Sequence, residues 1–327
     1  MDERLKQMST NQYQHKVAIT GIGSINPFGY SLNDIATAWR DGKSSNTSII
    51  PEFQGTELEG IRMATLPDFD PVELIGSKKM LKYMSQSAML GCIAVNEAIY
   101  HSAIKRRFSY PPEKIGLFVS TGLALADTKE VEDMIINSLD ENGNFSIPLF
   151  GKKGLGYTNP LVSFKILANM PACIIAILNN IQGPNYIFTP WEGQTGVAFL
   201  EAYKSVASGE LPCAITGASD SSANPSTYIF LKQMGYIKDS EYPASASAYF
   251  VLENYESVKN TGKTIYATIE DIQVYPYEEY VDELSGRMGR CFAASPAVMM
   301  FIAILQGIER VRVCGVDKQM VDIRLGY

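Results

Sequence analysis

Histidine is nearly missing from this chain: His15 and His101 are the two in 327 residues. That scarcity excludes most imidazole-based acid–base catalysis and leaves too few ligands for a zinc centre, so no metal and no cofactor is expected. Paired cysteines are missing as well. Cys92, Cys173, Cys213, Cys291 and Cys314 are scattered, form no CxxC pair and sit mostly in apolar runs. They read as buried free thiols in a reducing compartment. Basic blocks are few and short, Lys105-Arg106-Arg107 and Lys78-Lys79, and the net charge is −7. Nucleic acid is therefore excluded as a partner. The longest apolar run, residues 298–305, is too short to cross a bilayer, and the polar, Gln- and Lys-rich start has no signal-peptide pattern. The expectation is a cytoplasmic protein with no membrane partner.

What is present is an ordinary globular composition, 46% hydrophobic and 19% charged. The length suits one large domain or two closely joined halves. Buried-strand patterns at residues 16–20, 115–120, 186–189, 213–216, 248–253 and 265–272 alternate with helical spacing at 32–40, 71–104, 131–139, 164–180, 197–208 and 298–307. A last strand is expected over 310–315. This alternation predicts α/β layers around a mainly buried sheet. Two halves, 1–243 and 244–327, are expected to share one core, because no linker separates them. Gly21-Ile22-Gly23 after the first strand raises a nucleotide-binding fingerprint. The third glycine is replaced by Asn26 and Pro27 follows, so a tight turn is the expected reading.

Several segments in order resemble the β-ketoacyl synthase family of condensing enzymes. They are VAITGIGSINPFG from Val17, Asp68-Phe69-Asp70-Pro71, Asn169-Met170-Pro171-Ala172 and the later Gly183-Pro184. AITGASD ending at Asp220, VLENYESVKNTGKTIYATI from Val251, and MGRCFAASPAVMMFIAIL from Met288 continue the series. The resemblance implies a thiolase-like layered αβαβα fold with a truncated C-terminal half. It also implies a nucleophilic cysteine eight residues after Gly183-Pro184, where this chain has Glu192. Counting back from the GASD turn reaches the same position. A carboxylate is a poor acyl acceptor, since the mixed anhydride it would form hydrolyses readily.

The other parts that the family uses are absent too. The interval 273–288 holds no histidine, the second histidine position is Arg290, and the lysine five residues before it is Ser285. This set of losses resembles the chain-length factors, silent subunits of type II polyketide synthases, and among them the shortened aryl-polyene kind. That implies no catalytic residue here, a heterodimer with an active ketosynthase, and an acyl carrier protein contacted mainly through that partner. Tyr186, Ile187, Phe188 and Thr189 are expected at the interface, and Ala126, Lys129 and Asp133 near the gate of the acyl tunnel. Lys129 and Asp133 also read as an exposed i,i+4 pair. Glu192 is expected to bond Arg290 or a partner arginine. The alternative is a malonyl-carrier-protein decarboxylase or priming subunit using Glu192 as a base.

Overall fold

The computed structural model describes residues 15–104 and 110–327; the first residues and the run Lys105-Arg106-Arg107 lie outside the described residues. Ten strands run in chain order: β1 Val17–Ile25, β2 Thr47–Ile49, β3 Arg62–Ala64, β4 Ile115–Thr121, β5 Asn185–Phe188, β6 Cys213–Ser221, β7 Ser245–Asn254, β8 Ala267–Pro276, β9 Arg310–Cys314 and β10 Gln319–Gly326. Seven helices among the described residues have nine residues or more: α1 Leu32–Arg40, α2 Gln86–Ser102, α3 Thr128–Ile136, α4 Met170–Asn179, α5 Glu192–Ala207, α6 Pro225–Gln233 and α7 Ser295–Gln306. Local chemistry sets their ends. Ser31, Ser85 and Asn224 accept first-turn amides of α1, α2 and α6, and left-handed Gly307 closes α7.

Eight strands form one sheet in the order β5-β4-β6-β7-β1-β8-β10-β9. β4, β5 and β6 are parallel; every other neighbouring pair is antiparallel. β1 and β4 are buried along their whole length, which is why they read as continuous apolar and small residues. Helices α2 and α4 cover one face. Helices α5 and α7 pack on each other, with α5 lying between the strands around β4 and β6 and those around β8 and β10. This is the layered α/β arrangement that the sequence predicts.

The two halves repeat one motif at different lengths. Helix α5 leads into the antiparallel pair β6–β7, and helix α7 leads into the antiparallel pair β9–β10. Three strands, β8, β10 and β9, make up the short C-terminal set. Their outward face carries no apolar stripe. Arg310 bonds Asp322 at 2.6 Å and Arg324 bonds Asp271 at 3.2 Å across neighbouring strands.

Three local expectations change. Gly21 and Gly23 do not turn the chain; they are inside β1. A Cβ at either would stand 2.1 Å from a backbone oxygen of α2, Ala98 O and Ala94 O respectively. These glycines let helix and strand touch, and no phosphate-cradling turn exists there. The long helical stretches are broken. Gly76 ends a short helix before Ser85 starts α2, and Pro171 sits in the first turn of α4, separating it from Val162–Lys165. One strand more than expected, β10, follows β9. Strands β5, β4, β6, β7 and β1 make up the first, longer strand set.

Candidate functional site

Glu192 is the first residue of α5, a fully buried position. Trp191 before it offers no side-chain cap, so the first amides of the helix find partners elsewhere. The partners come from the β9–β10 turn. Asp317 Oδ2 accepts the Gly193 N–H at 2.9 Å. In return the Val316 N–H donates to Glu192 Oε2 at 3.3 Å. Gly315 lies flat against the carboxyl, and a Cβ there would stand 1.8 Å from Glu192 Cδ.

The expected Arg290 is beside Glu192, but the pairing is loose. Arg290 Nη2 stands 4.0 Å from Glu192 Oε1, beyond hydrogen-bond reach. Its Nη1 instead bonds Tyr236 O at 3.1 Å and Glu241 Oε2 at 3.2 Å. The guanidinium is sandwiched by the rings of Tyr280 and Phe292, at 4.4 and 4.6 Å. Glu192 Oε1 and Arg290 Nε and Nη2 have no hydrogen-bond partner. Burial pushes the Glu192 carboxyl up to about 8; a bond from its own backbone amide and the Arg290 charge pull the other way, and Asp317 and Asp282 push it further up.

Around this pair lies a polar layer that sequence reasoning did not single out. Asp282 accepts from Leu284 N–H at 2.9 Å, Ser295 Oγ at 3.0 Å and Tyr280 OH at 3.1 Å. Ser285 joins the same loop by donating to Asp282 O at 2.9 Å. Thus Glu192, Arg290 and Ser285 are brought together, the last through Asp282. Asp220, the end of GASD, is fully buried, and its carboxyl is pushed up to about 7 by burial. It accepts the Ala293 N–H at 3.2 Å and the Ser222 hydroxyl. The bulky Phe292 holds φ +42, which turns Ala293 toward Asp220 and toward Thr195, whose hydroxyl donates to Ala293 O at 2.6 Å.

No imidazole reaches this site. The backbone N–H of His15 bonds Ala207 O at the far end of α5, roughly 22 Å along the helix from Glu192. His101 Nδ1 bonds Ile22 O at 2.7 Å. Among the described residues no group of His, Cys, Asp and Glu is placed to hold a metal, and no helix is long and apolar enough to cross a membrane.

The expected interface residues lie on or next to β5, an edge of the sheet. Tyr186 is 51% exposed and stacks on Phe118 at 5.2 Å, while Ile187 and Phe188 are half-buried. Thr189 follows the strand and donates to Gly122 O at 3.4 Å. At the expected gate, Ala126 precedes α3, with Lys129 and Asp133 on its exposed side. Lys129 reaches Glu52 at 3.2 Å rather than pairing with Asp133. A cavity of about 290 Å³ lies here, lined by Ser85, Gln86, Leu125, Lys129, Lys165 and Asn224 among others.

Comparison with known proteins gives this geometry a family. Residues 14–250 match the β-ketoacyl synthase N-terminal domain. A putative mitochondrial 3-oxoacyl-[acyl-carrier-protein] synthase of Schizosaccharomyces pombe is 25% identical over 281 residues, covering 78% of this chain and 62% of that protein. The 3-oxoacyl-[acyl-carrier-protein] synthase 2 of Synechocystis is 23% identical over 67% of this chain and 48% of its own length. The chain thus spans about half to three-fifths of the curated relatives it matches. Two solved structures share the fold at 13% identity over 96% of this chain and 99% of theirs. A β-ketoacyl synthase from Burkholderia phymatum has TM-score 0.76, and the ishigamide ketosynthase/chain length factor has 0.72. With a family match spanning well over half of its length, the chain belongs to the β-ketoacyl synthase family.

Proposed function

We propose that this chain is a non-condensing, chain-length-factor-like subunit that pairs with an active ketosynthase and shapes the acyl tunnel in type II polyketide or fatty-acid-like elongation, of the aryl-polyene kind. One observation carries the reading. The position that needs a nucleophile holds Glu192, buried against Gly315 with no histidine near it. A carboxyl in the nucleophile's place is a poor acyl acceptor, since the mixed anhydride it would form hydrolyses readily. The alternative, decarboxylation by Glu192, is disfavoured by the same burial and by Asp282 and Asp317 beside it, which would repel a malonyl carboxylate.

Pairing is supported by the open edge at β5, whose outer backbone groups have no strand partner among the described residues. Exposed large apolar side chains, among them Ile136, Phe145, Ile147, Tyr157 and Ile177, fall on the stretch of chain between β4 and β5. On this reading Tyr186, Ile187, Phe188 and Thr189 meet the partner; Ala126, Lys129 and Asp133 border its tunnel; the carrier protein docks mainly on the partner. Co-expression with a Cys-His-His ketosynthase tests it. The expected result is a 1:1 complex that elongates chains, lost on Tyr186→Asp, with no acyl adduct on this chain by intact mass. An acyl adduct on the isolated chain, or failure to bind any ketosynthase encoded beside it, rejects the reading.

A further inference from the structure

Two bonds cross between the start of α5 and the turn joining β9 to β10, and they run in opposite directions. The helix carboxylate of Glu192 takes the turn's Val316 N–H at 3.3 Å. The turn carboxylate of Asp317 takes the helix's Gly193 N–H at 2.9 Å. Each element satisfies an orphan donor of the other, as a capping box does within one helix. The backbones touch in between. A Cβ at Gly193 would stand 2.5 Å from Gln319 Cβ, and one at Gly315 would meet the Glu192 carboxyl.

The turn is anchored on its outer side too. Tyr277 N–H donates to Lys318 O at 3.0 Å, and Val281 and Cys314 exchange backbone bonds of 2.9 and 2.7 Å. Val316 packs in the small apolar cluster that contains Phe292 and Trp191. Residues 315–319 therefore lie across the start of α5 with contacts on both sides.

We propose that residues 315–319 are a built-in strap, latched by Asp317, that keeps the start of α5 shut to acyl thioesters. The loss of the nucleophile is then only half of what silences the site. Restoring a thiol at 192 removes the Glu192–Val316 bond but leaves the Asp317–Gly193 bond and the Gly315 contact. The strap stands on this geometry and not on pairing: a chain whose strap proves open, yet which binds a ketosynthase, would lose this inference and keep the previous one.

Alkylation of full-length Glu192→Cys and Glu192→Cys/Asp317→Ala with iodoacetamide, read by peptide mass mapping, tests it. Cys173, the one native cysteine that is not fully buried, serves as the internal reference. With Asp317 present, position 192 should label far more slowly than Cys173. Removing Asp317 should speed it about tenfold to a hundredfold, the effect of losing a hydrogen bond to a charged acceptor. Labelling as fast as Cys173 with Asp317 in place, or an equally slow rate in both variants, overturns the proposal. Amide hydrogen exchange on the unaltered chain covers the case in which the double variant does not fold. Gly193 lies in the first turn of a helix, where amides have no intrahelical partner and exchange freely unless something else holds them. Strong protection of Gly193 and Val316 is expected; exchange at the rate of an open amide overturns the strap.

Discussion

Glu253 and Glu192 are both glutamates at zero exposure, and they could hardly be treated more differently. Glu253 sits in β7 at the heart of the first strand set. It accepts from the Thr20 hydroxyl, from Tyr110 OH at 2.6 Å, and from Lys263 Nζ at 2.6 and 2.9 Å, with the lysine side chain itself only 2% exposed. Both oxygens are filled and the charge is matched. Glu192 has a long bond from the Val316 amide and one from its own amide, an arginine 4.0 Å away that is held by other groups, and an oxygen with no partner. A buried carboxylate that is completely paired belongs to the structure. One left half-paired occupies a place whose surroundings serve something other than holding it. On the proposed function Glu192 stands in the nucleophile's place, where the helix start and the β9–β10 turn converge.

Breaking the first of these pairs should have the largest effect. Lys263→Met leaves the Glu253 carboxylate buried without its counter-ion and should cost about 3–5 kcal/mol in urea unfolding. A loss under about 1 kcal/mol would mean that Thr20 and Tyr110 alone hold Glu253, and the contrast would fail. The next change probes the second site by steric means. Gly315→Ala puts a methyl group into the Glu192 carboxyl and should cost about 1–3 kcal/mol as overpacking. In a Glu192→Ala background the same change should cost little. Additive losses in that double-mutant cycle would show that the two do not touch.

The sequence made much of this legible, and the limits have physical causes. Strands buried on both faces announced themselves as unbroken apolar runs, so β1, β4 and β6 were in reach. β10 was passed over although Asp322 and Arg324 alternate with Val321, Ile323 and Leu325, the period of a half-buried strand. The flanking motifs singled out Glu192. Its environment was not legible: Val316 is 124 residues away, and CGVDK carries no local sign of its partner. The same holds for Lys129, which meets Glu52 from a distant segment in place of Asp133 on its own helix. Arg290 was placed correctly beside Glu192, yet only the folded chain shows that Tyr236 and Glu241 hold it back.

The smallest expected effect is the most discriminating. The Glu192 carboxyl is raised in the folded chain to about 8 from an ordinary value of 4.5. Between those values the folded chain holds a proton that the unfolded chain has released, so this group's contribution to stability is full below the lower value and is lost as pH rises through the upper one. The slope is at most about −1.4 kcal/mol per pH unit. Asp220 and Glu97, both raised to about 7, add slopes of the same sign that end lower. Between pH 7 and 8 Glu192 should therefore dominate among these three. Glu192→Gln keeps the shape and removes the titration. It should change stability at pH 6 by no more than about 1 kcal/mol, since an amide needs no counter-ion. It should also flatten the decline between pH 7 and 8. A loss above about 3 kcal/mol, with the slope unchanged, would put Glu192 in the same class as Glu253: an ionised partner of Arg290 held for structure.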